Sequence, residues 1–558
     1  MLKINTQEAD TIFYGGKVHS VNAKDEIFEA IAIKDNRVLA LGTDSEIKAL
    51  AVANTKMIDL KGKSLIPGIN DGHNHIWEAG IMYDGVVVFG IDSISKLIDV
   101  LKTKAESLED GKWIQGGSYI ESQFEENRTP TRYDLDKAST KHPIVIERIF
   151  GACVTNSLAL ELAGITKDTP NPEKGEVVKN PETGEPTGEL KGNAVLLVRS
   201  AMPGAFGSDE FGAGTGEPSV ELMEKSISLA LEKYREYGIT SVTEPGVSAT
   251  VCKAYHKILD EGKLTCRIDL MPNWYGFTLK QDDEQLSKLI DNYNFASGYG
   301  NDWIRYTALK MAIDGGLTSG TALKSWPYKG ESSPREVKLR LDIDKLDAYI
   351  KTAHDAGWNI GIHVMGDIAI EKAVDAMYKA IKANPRPHRH YIIHAYYPNE
   401  ETLRKMGEVG IMASVQGSFI YGEADGYDDL LPRDKQESFL PLKSYQKAGV
   451  ICSMSTDMPC ADVNPFWGMY SAVTRKGMRG YCLGTDECIT INEAIRMMTV
   501  NGAILNGEQD EKGTLEPGKL ADLVVLSADL TTIDPENLKH LQAELTMLDG
   551  KIIFERNE

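Results

Sequence analysis

Cysteine is sparse in this chain. Its 558 residues hold seven, Cys153, Cys252, Cys266, Cys452, Cys460, Cys482 and Cys488, and no two stand in a Cys-x-x-Cys spacing. An odd count without that spacing argues against a disulfide framework, a zinc finger and a redox dithiol. It predicts reduced thiols, mostly buried as small apolar groups, in a cytoplasmic protein. Long apolar runs are missing too: no stretch approaches the roughly 18 residues that a membrane-spanning helix needs. Met1 to Ile12 carries Lys3, Glu8 and Asp10 where a leader would have an apolar core, so no signal peptide is expected. Positive charge is in deficit, with 61 Lys and Arg against 82 Asp and Glu and a net charge of −21. Such a surface repels phosphate backbones, which argues against a nucleic-acid partner and weakly against strongly anionic substrates. Hydrophobic residues at 42% and charged residues at 26% are ordinary globular usage, so collagen, coiled coil and disorder are excluded.

Both ends of the chain read as short strands. Ile27 to Ile33 and Val38 to Leu41 flank the turn pair Asp35-Asn36. Near the C-terminus, Ala521 to Leu526 reads as a strand, and Leu545 to Leu548 and Lys551 to Phe554 flank Asp549-Gly550, a strong hairpin signal. Residues 1–68 and 505–558 are therefore expected to form one composite β-sandwich domain. The middle, 69–504, alternates strands with helical patterns. Eight candidate strands stand out: 65–75, 144–148, 239–244, 306–311, 360–364, 391–394, 411–416 and 450–457. Helical spacing marks 221–237, 341–356, 369–383 and 492–499. Eight strands alternating with helices predict an α/β fold, a parallel (β/α)8 TIM-like barrel, with a doubly wound open sheet as the competing architecture. A Pro- and Gly-rich segment near 164–216 interrupts the alternation and reads as a lid-like insertion. Its end, Gly212-Ala213-Gly214-Thr215-Gly216, only superficially resembles a phosphate-cradling loop, because no strand leads into it and no Lys-Ser/Thr follows.

The strongest chemical signal is Pro67-Gly68-Ile69-Asn70-Asp71-Gly72-His73-Asn74-His75, which closes the first candidate strand. Residues two apart on a strand share a face, so His73 and His75 can chelate one metal. Alone the pair is weak. However, Lys310, His363, His394 and Asp457 each lie at or near the end of a later apolar run. Polar groups there are costly unless paired or metal-bound, and the C-terminal ends of barrel strands converge on one site. Four histidines, a lysine and an aspartate suit a divalent ion such as zinc.

The pattern resembles the amidohydrolase superfamily, and within it amidohydrolase family 3, the branch that includes N-substituted formamide deformylase. Beyond the metal motif, matching stretches include Trp113-Ile114-Gln115-Gly116-Gly117, Arg128 to Asp136, Asn156 to Leu160, Gly238 to Val242, Asp314-Gly315-Gly316 and the tail Gly513 to Leu523. The resemblance implies that His73 and His75 hold the more buried metal, and His363 and His394 a second. It also implies that a carboxylated Lys310 bridges them, because a plain ammonium cannot be a ligand. Asp457 would contact a metal and serve as general base and acid, and His394 or a neighbouring donor would stabilise an oxyanion. The implied cofactor is one or two zinc ions per chain. The implied reaction is cleavage of a non-peptide C–N bond, such as that of an N-substituted formamide, by metal-activated hydroxide. Two departures stand near the mouth: Gly151 is followed by Ala152 where the family commonly has His, and Thr243-Glu244 replaces His-Asp.

Weaker candidates for substrate contact are Trp77, Tyr119, Arg148, Gln416 and Arg475, on or just after strand ends. His388 and His390 fall at the wrong end of their strand to be ligands. A deaminase or cyclic-amide hydrolase on the same scaffold is an alternative, and so is a catalytically inactive binding protein. The expected partner is a small amide-like molecule, with a homodimer as the base-rate assembly.

Overall fold

The computed structural model describes residues 8–148, 151–173, 175–202, 219–275, 290 and 295–556. Its centre is a nearly closed parallel barrel of eight strands. These are β1 (Ile69–Asp71), β2 (Ile239–Val247), β3 (Arg267–Tyr275), β4 (Leu309–Ala312), β5 (Ile360–Val364), β6 (Tyr391–His394), β7 (Met412–Val415) and β8 (Cys452–Met454). Each pairs in parallel with the next from β1 to β8. No ladder joins β8 to β1. That seam is closed by the Gly72 amide donating to the Met454 carbonyl (3.3 Å) and the Asp457 amide donating to the His73 carbonyl (2.9 Å). The approach is close: a Cβ at position 72 would lie 2.5 Å from Ser453 Oγ, so a larger residue would require that side chain to turn away.

Two of the barrel strands depart from the sequence expectation. Ile144–Arg148 is not a barrel strand. It lies in a six-stranded sheet inserted between β1 and β2, in the order Gly175–Lys179, Pro186–Gly192, Ala152–Thr155, Ile144–Arg148, Ile114–Tyr119, Val86–Val87. Ile144 and Ile146 pack into one apolar cluster and Val145 into another, so this strand is buried on both faces. A strand covered on both faces carries the same unbroken apolar signature as one in a parallel barrel. The true third strand, Arg267–Tyr275, is disguised by Arg267, Asp269 and Pro272. Its charges are matched within the fold: Arg267 pairs with Asp522 (2.7 Å) and Asp549 (3.1 Å), and Asp269 accepts from Asn506 Nδ2 (2.7 Å). Within the segment 164–216, the strands Gly175–Lys179 and Pro186–Gly192 complete the inserted sheet. The Gly212–Gly216 run lies outside the described residues.

Strands from both termini share a second six-stranded sheet, where Leu523–Leu526 runs antiparallel to Ser64–Pro67 and beside Ala543–Leu548. A four-stranded sheet in the order Arg37–Gly42, Ala30–Lys34, Thr11–Tyr14, Lys56–Asp59 stands with it. Phe13, Ile31, Ile33, Leu65, Leu523 and Leu545 fill one shared apolar core. All seven cysteines are unpaired, and no described helix is long and apolar enough to cross a membrane.

Candidate metal centre

The open seam of the barrel is where the site is built. Asp71 ends β1 and reaches across to the loop after β8. Its Oδ1 accepts from the Thr456 amide (3.0 Å), and its Oδ2 accepts from Thr456 Oγ1 (2.5 Å) and Asn74 Nδ2 (2.9 Å). The Tyr234 hydroxyl donates in turn to Asn74. Asp71 thus fixes His73, two residues on in its own loop, relative to Asp457, which follows Thr456. Glu244 steadies the other histidine by accepting from the Ile76 amide (2.7 Å) and the Tyr255 hydroxyl (2.8 Å). His394 and Asp457 both adopt left-handed backbone, with φ of 69° and 57°. For residues with a Cβ that conformation costs energy, and such strain gathers at functional sites.

Six side chains named from the sequence meet within this mouth. His73, His75 and Asp457 offer ligand atoms that all lie within 4.8 Å of one another. Asp457 Oδ1 is 3.6 Å from His73 Nε2 and 3.5 Å from His75 Nε2. Lys310 Nζ lies 3.3 Å from His73 Nε2, and the rings of His73 and His394 are 5.9 Å apart. His394 Nε2 is 2.8 Å from His363 Nδ1. All six are buried. His73 and His75 sit just beyond the last paired residue of β1, and His75 precedes the helix Ile76–Asp84.

Burial, reinforced by neighbouring positive groups, holds His73 and His363 well below the ordinary imidazole range. Burial likewise lowers His394 to about 4, with Asp457 pulling the other way. These rings are neutral at physiological pH, the state that donates a lone pair. His75 differs: burial lowers it, but Glu78 and Asp457 more than offset this and raise it. Burial brings the Lys310 amine down to about 7, against the pull of Asp457.

The donor set fits a divalent cation. His73 Nδ1 and Asp457 Oδ1 are buried without a hydrogen-bond partner. His394 Nδ1 is 2.7 Å from Gln416 Oε1, whose amide nitrogen donates to Ser455 Oγ (2.8 Å). The His394 proton therefore sits on Nδ1 and the lone pair on Nε2. His363 Nε2 faces two acceptors, the Gly315 carbonyl (3.4 Å) and Asp314 Oδ1 (4.0 Å), which places its proton there and its lone pair on Nδ1. Two lone pairs thus face each other, a contact that a cation between them makes favourable.

The weaker candidates divide. Gln416 orients His394, as described. Trp77 is half-buried on the helix that starts after His75. Tyr119 and Arg148 belong to the inserted sheet, where Arg148 Nε donates to Glu121 (2.7 Å). Arg475 is not brought to the centre as a free donor: its guanidinium is spent on the carbonyls of Leu440, Phe439 and Leu483. His390 lies at the opposite end of β6, bonded to His354 (2.8 Å).

Sequence reasoning gave no role to Asp71 or Asp314, and marked Glu244 only as a departure near the mouth that bears on substrate choice. Asp314 accepts backbone amides of Leu323 (2.9 Å), Met365 (3.0 Å) and Gly366 (2.9 Å), tying the loops after β4 and β5. Asp71 and Asp314 stood inside motifs already visible, so their signal was present. Their role became legible only when three-dimensional partners did.

Residues 56–554 match a family model described as the amidohydrolase family. The chain is 27% identical over 556 residues to N-substituted formamide deformylase of Arthrobacter pascens, covering 99% of each. It is 26% identical over 541 residues to Protein LONG AFTER FAR-RED 3 of Arabidopsis thaliana, covering 93% of this chain and 88% of that one. Among solved structures it resembles an uncharacterized metal-dependent hydrolase from Pyrococcus horikoshii OT3, with a TM-score of 0.69 at 22% identity over 94% of this chain and 99% of that one, a likeness of fold.

Proposed function

The chain belongs to the amidohydrolase family, and on that premise we propose that it is a metal-dependent hydrolase of a non-peptide C–N bond, most simply that of an N-substituted formamide or related amide. The observation that carries this reading is the convergence of buried imidazole and carboxylate groups at one mouth of the barrel. The deformylase relative, matched along nearly its whole length, supports the substrate class.

His73, His75 and Asp457 would hold one divalent ion, zinc being the best fit to this donor set, and His363 and His394 a second. Lys310, whose amine burial keeps from being strongly basic, would take up CO2 and join the two as a carbamate. When bound, such ions supply Lewis acidity to a carbonyl and lower the pKa of water. Asp457, whose Oδ1 lies 3.5 Å from His75 Nε2, takes a proton from the attacking water and delivers it to the leaving nitrogen. Gln416 keeps the His394 proton on Nδ1, and Asp71 holds the His73 and Asp457 loops in register. Elemental analysis of protein purified without chelators, followed by product analysis on a panel of N-alkylformamides and other amides, tests the reading. One or two zinc ions per chain and release of amine with acid are expected. A metal-free protein even after zinc incubation, or turnover unaffected by His73→Ala, would overturn it. Ammonia or a ring-opened product would redirect it to the deaminase or cyclic-amide alternative.

A further inference from the structure

The backbone around His75 is held at three consecutive amides. The Asn74 amide donates to the Thr243 carbonyl (3.0 Å), the His75 amide to the Met458 carbonyl (2.8 Å), and the Ile76 amide to Glu244 Oε2 (2.7 Å). β2 therefore grips both flanks of His75, and the loop after β8 grips its centre. Of the three acceptors, only that of Glu244 belongs to a side chain. His75 is the N-cap of the helix Ile76–Asp84 but makes no side-chain hydrogen bond to its first turn. Glu244 supplies that bond from another strand, with a carboxyl group facing the amide end of the helix.

Thr243-Glu244 stands where the family commonly has His-Asp. Neither side chain is open to a substrate, since both residues are fully buried. Thr243 Oγ1 accepts from Asn506 Nδ2 (2.8 Å), which also donates to Asp269 (2.7 Å). Glu244 Oε2 accepts a second bond from the Tyr255 hydroxyl (2.8 Å), which reaches in from the helix Ala249–Asp260 after β2. The body of the helix Ile76–Asp84 is seated by packing on the helix Val220–Tyr234, where a Cβ on Gly80 would lie 1.8 Å from the Ser226 carbonyl oxygen. What Glu244 adds is the direction of its first amide, one residue from the imidazole.

We propose that Glu244 is a positioning residue for metal binding: it fixes the backbone from which His75 presents its imidazole, and the departure at 243–244 acts through that ligand and not through contact with substrate. This rests on the metal-dependent hydrolase reading above. His75 Nε2 lies 3.5 Å from Asp457 Oδ1, and the ligand atoms of His73, His75 and Asp457 lie within 4.8 Å of one another. A turn of the His75 backbone would open that group. His73 is held separately, through the bonds of Asp71 to Thr456, so loss of the Glu244 bond falls on one ligand of the three. Groups that orient a ligand in this way govern metal affinity without touching the ion.

Loss of zinc from the loaded, full-length protein to a competing chelator tests this. Glu244→Ala should give up zinc at a chelator concentration roughly 10- to 100-fold lower than wild type does. Glu244→Gln, which keeps an acceptor oxygen for the Ile76 amide, should restore most of that loss. The ratio of kcat/KM between a small and a bulky N-alkylformamide should be the same in zinc-saturated Glu244→Ala as in wild type. Zinc retention in Glu244→Ala equal to that of wild type, an equal loss in Glu244→Gln, or a shifted substrate ratio at full zinc loading would each overturn the proposal. Should Glu244→Ala fail to fold, Glu244→Asp carries the test: the shorter side chain withdraws its carboxylate from the Ile76 amide and must hasten zinc loss, and unaltered retention overturns it. A wild type that holds no zinc would remove the hydrolase reading and this one with it. Zinc shed by Glu244→Ala from a protein inert toward every amide would remove the hydrolase reading alone.

Discussion

Two clusters of buried polar groups, at opposite ends of the barrel, are matched in different ways. At the N-terminal end, Arg267 gives Nε and Nη2 to Asp522, Nη2 also to Asp549, and Nη1 to the Asp302 carbonyl. Close by, the Ile360 amide donates to His390 Nδ1 (3.1 Å), His390 Nε2 meets His354 Nδ1 (2.8 Å), and His354 Nε2 meets the Asn384 carbonyl (2.8 Å). That chain satisfies every ring nitrogen with neutral rings. At the C-terminal end, His73 Nδ1 and Asp457 Oδ1 have no partner. Buried groups that complete one another stabilise the fold. Buried groups left incomplete are destabilising unless something else completes them. Histidines occur at both ends, so residue type alone does not distinguish structure from site; the matching of donors and acceptors does.

Substitutions at the two ends should separate activity from stability. The largest effect is expected from Asp457→Asn, which removes the proton acceptor and should lower kcat/KM for amide hydrolysis about 10²- to 10⁴-fold, with the thermal midpoint of the metal-free protein little changed. Parallel loss of stability in that variant would dissolve the contrast. Arg267→Met at the other end should cost about 3–5 kcal/mol in denaturant unfolding, because it strands the carboxylates it pairs, while the folded enzyme keeps its kcat. Gln416→Leu, which frees the His394 proton from Nδ1, should weaken metal affinity or turnover by roughly 10- to 100-fold, as read by metal titration beside kinetics.

The smallest effect is a pH slope. Burial keeps His390 well below the ordinary imidazole range in the folded protein. Below pH ~6.5 the unfolded chain therefore binds a proton that the folded one refuses. Stability is fully present above that pH and falls as the pH drops, by up to about 1.4 kcal/mol per pH unit for one such group. His390→Asn, which keeps an acceptor for the Ile360 amide, should flatten the dependence of unfolding free energy on pH between about 6.5 and 5.

Much of this was legible in the chain, for identifiable reasons. The His-x-His pair and the polar ends of β4, β5, β6 and β8 were visible because each interrupts or ends an apolar run. The barrel count reached eight partly by compensation. Ile144–Arg148 imitated a barrel strand because apolar clusters cover it on both sides, and Arg267–Tyr275 escaped notice because its charges find partners 255 and 282 positions away. The burial of Glu423 on the helix Gly417–Leu430 left no trace, since a lone carboxylate on a helix reads as a solvated face until the fold buries it. Arg475 looked like a substrate ligand for the opposite reason: its carbonyl partners are backbone atoms, which no side-chain pattern reveals.

The seam between β8 and β1 has a consequence for how the protein comes into being. Asp71 and Thr456, whose bond ties the two halves of the centre together, stand 385 positions apart. A chain emerging from the ribosome holds His73 and His75 early but lacks Asp457 until most of the barrel has been made. Contacts so distant in sequence carry a large loop-closure cost and form late. On the proposed reading, ion capture at the full centre would be a chemical mark of a finished barrel, and a chain truncated before β8 has His73 and His75 but not the Asp457 that completes the group.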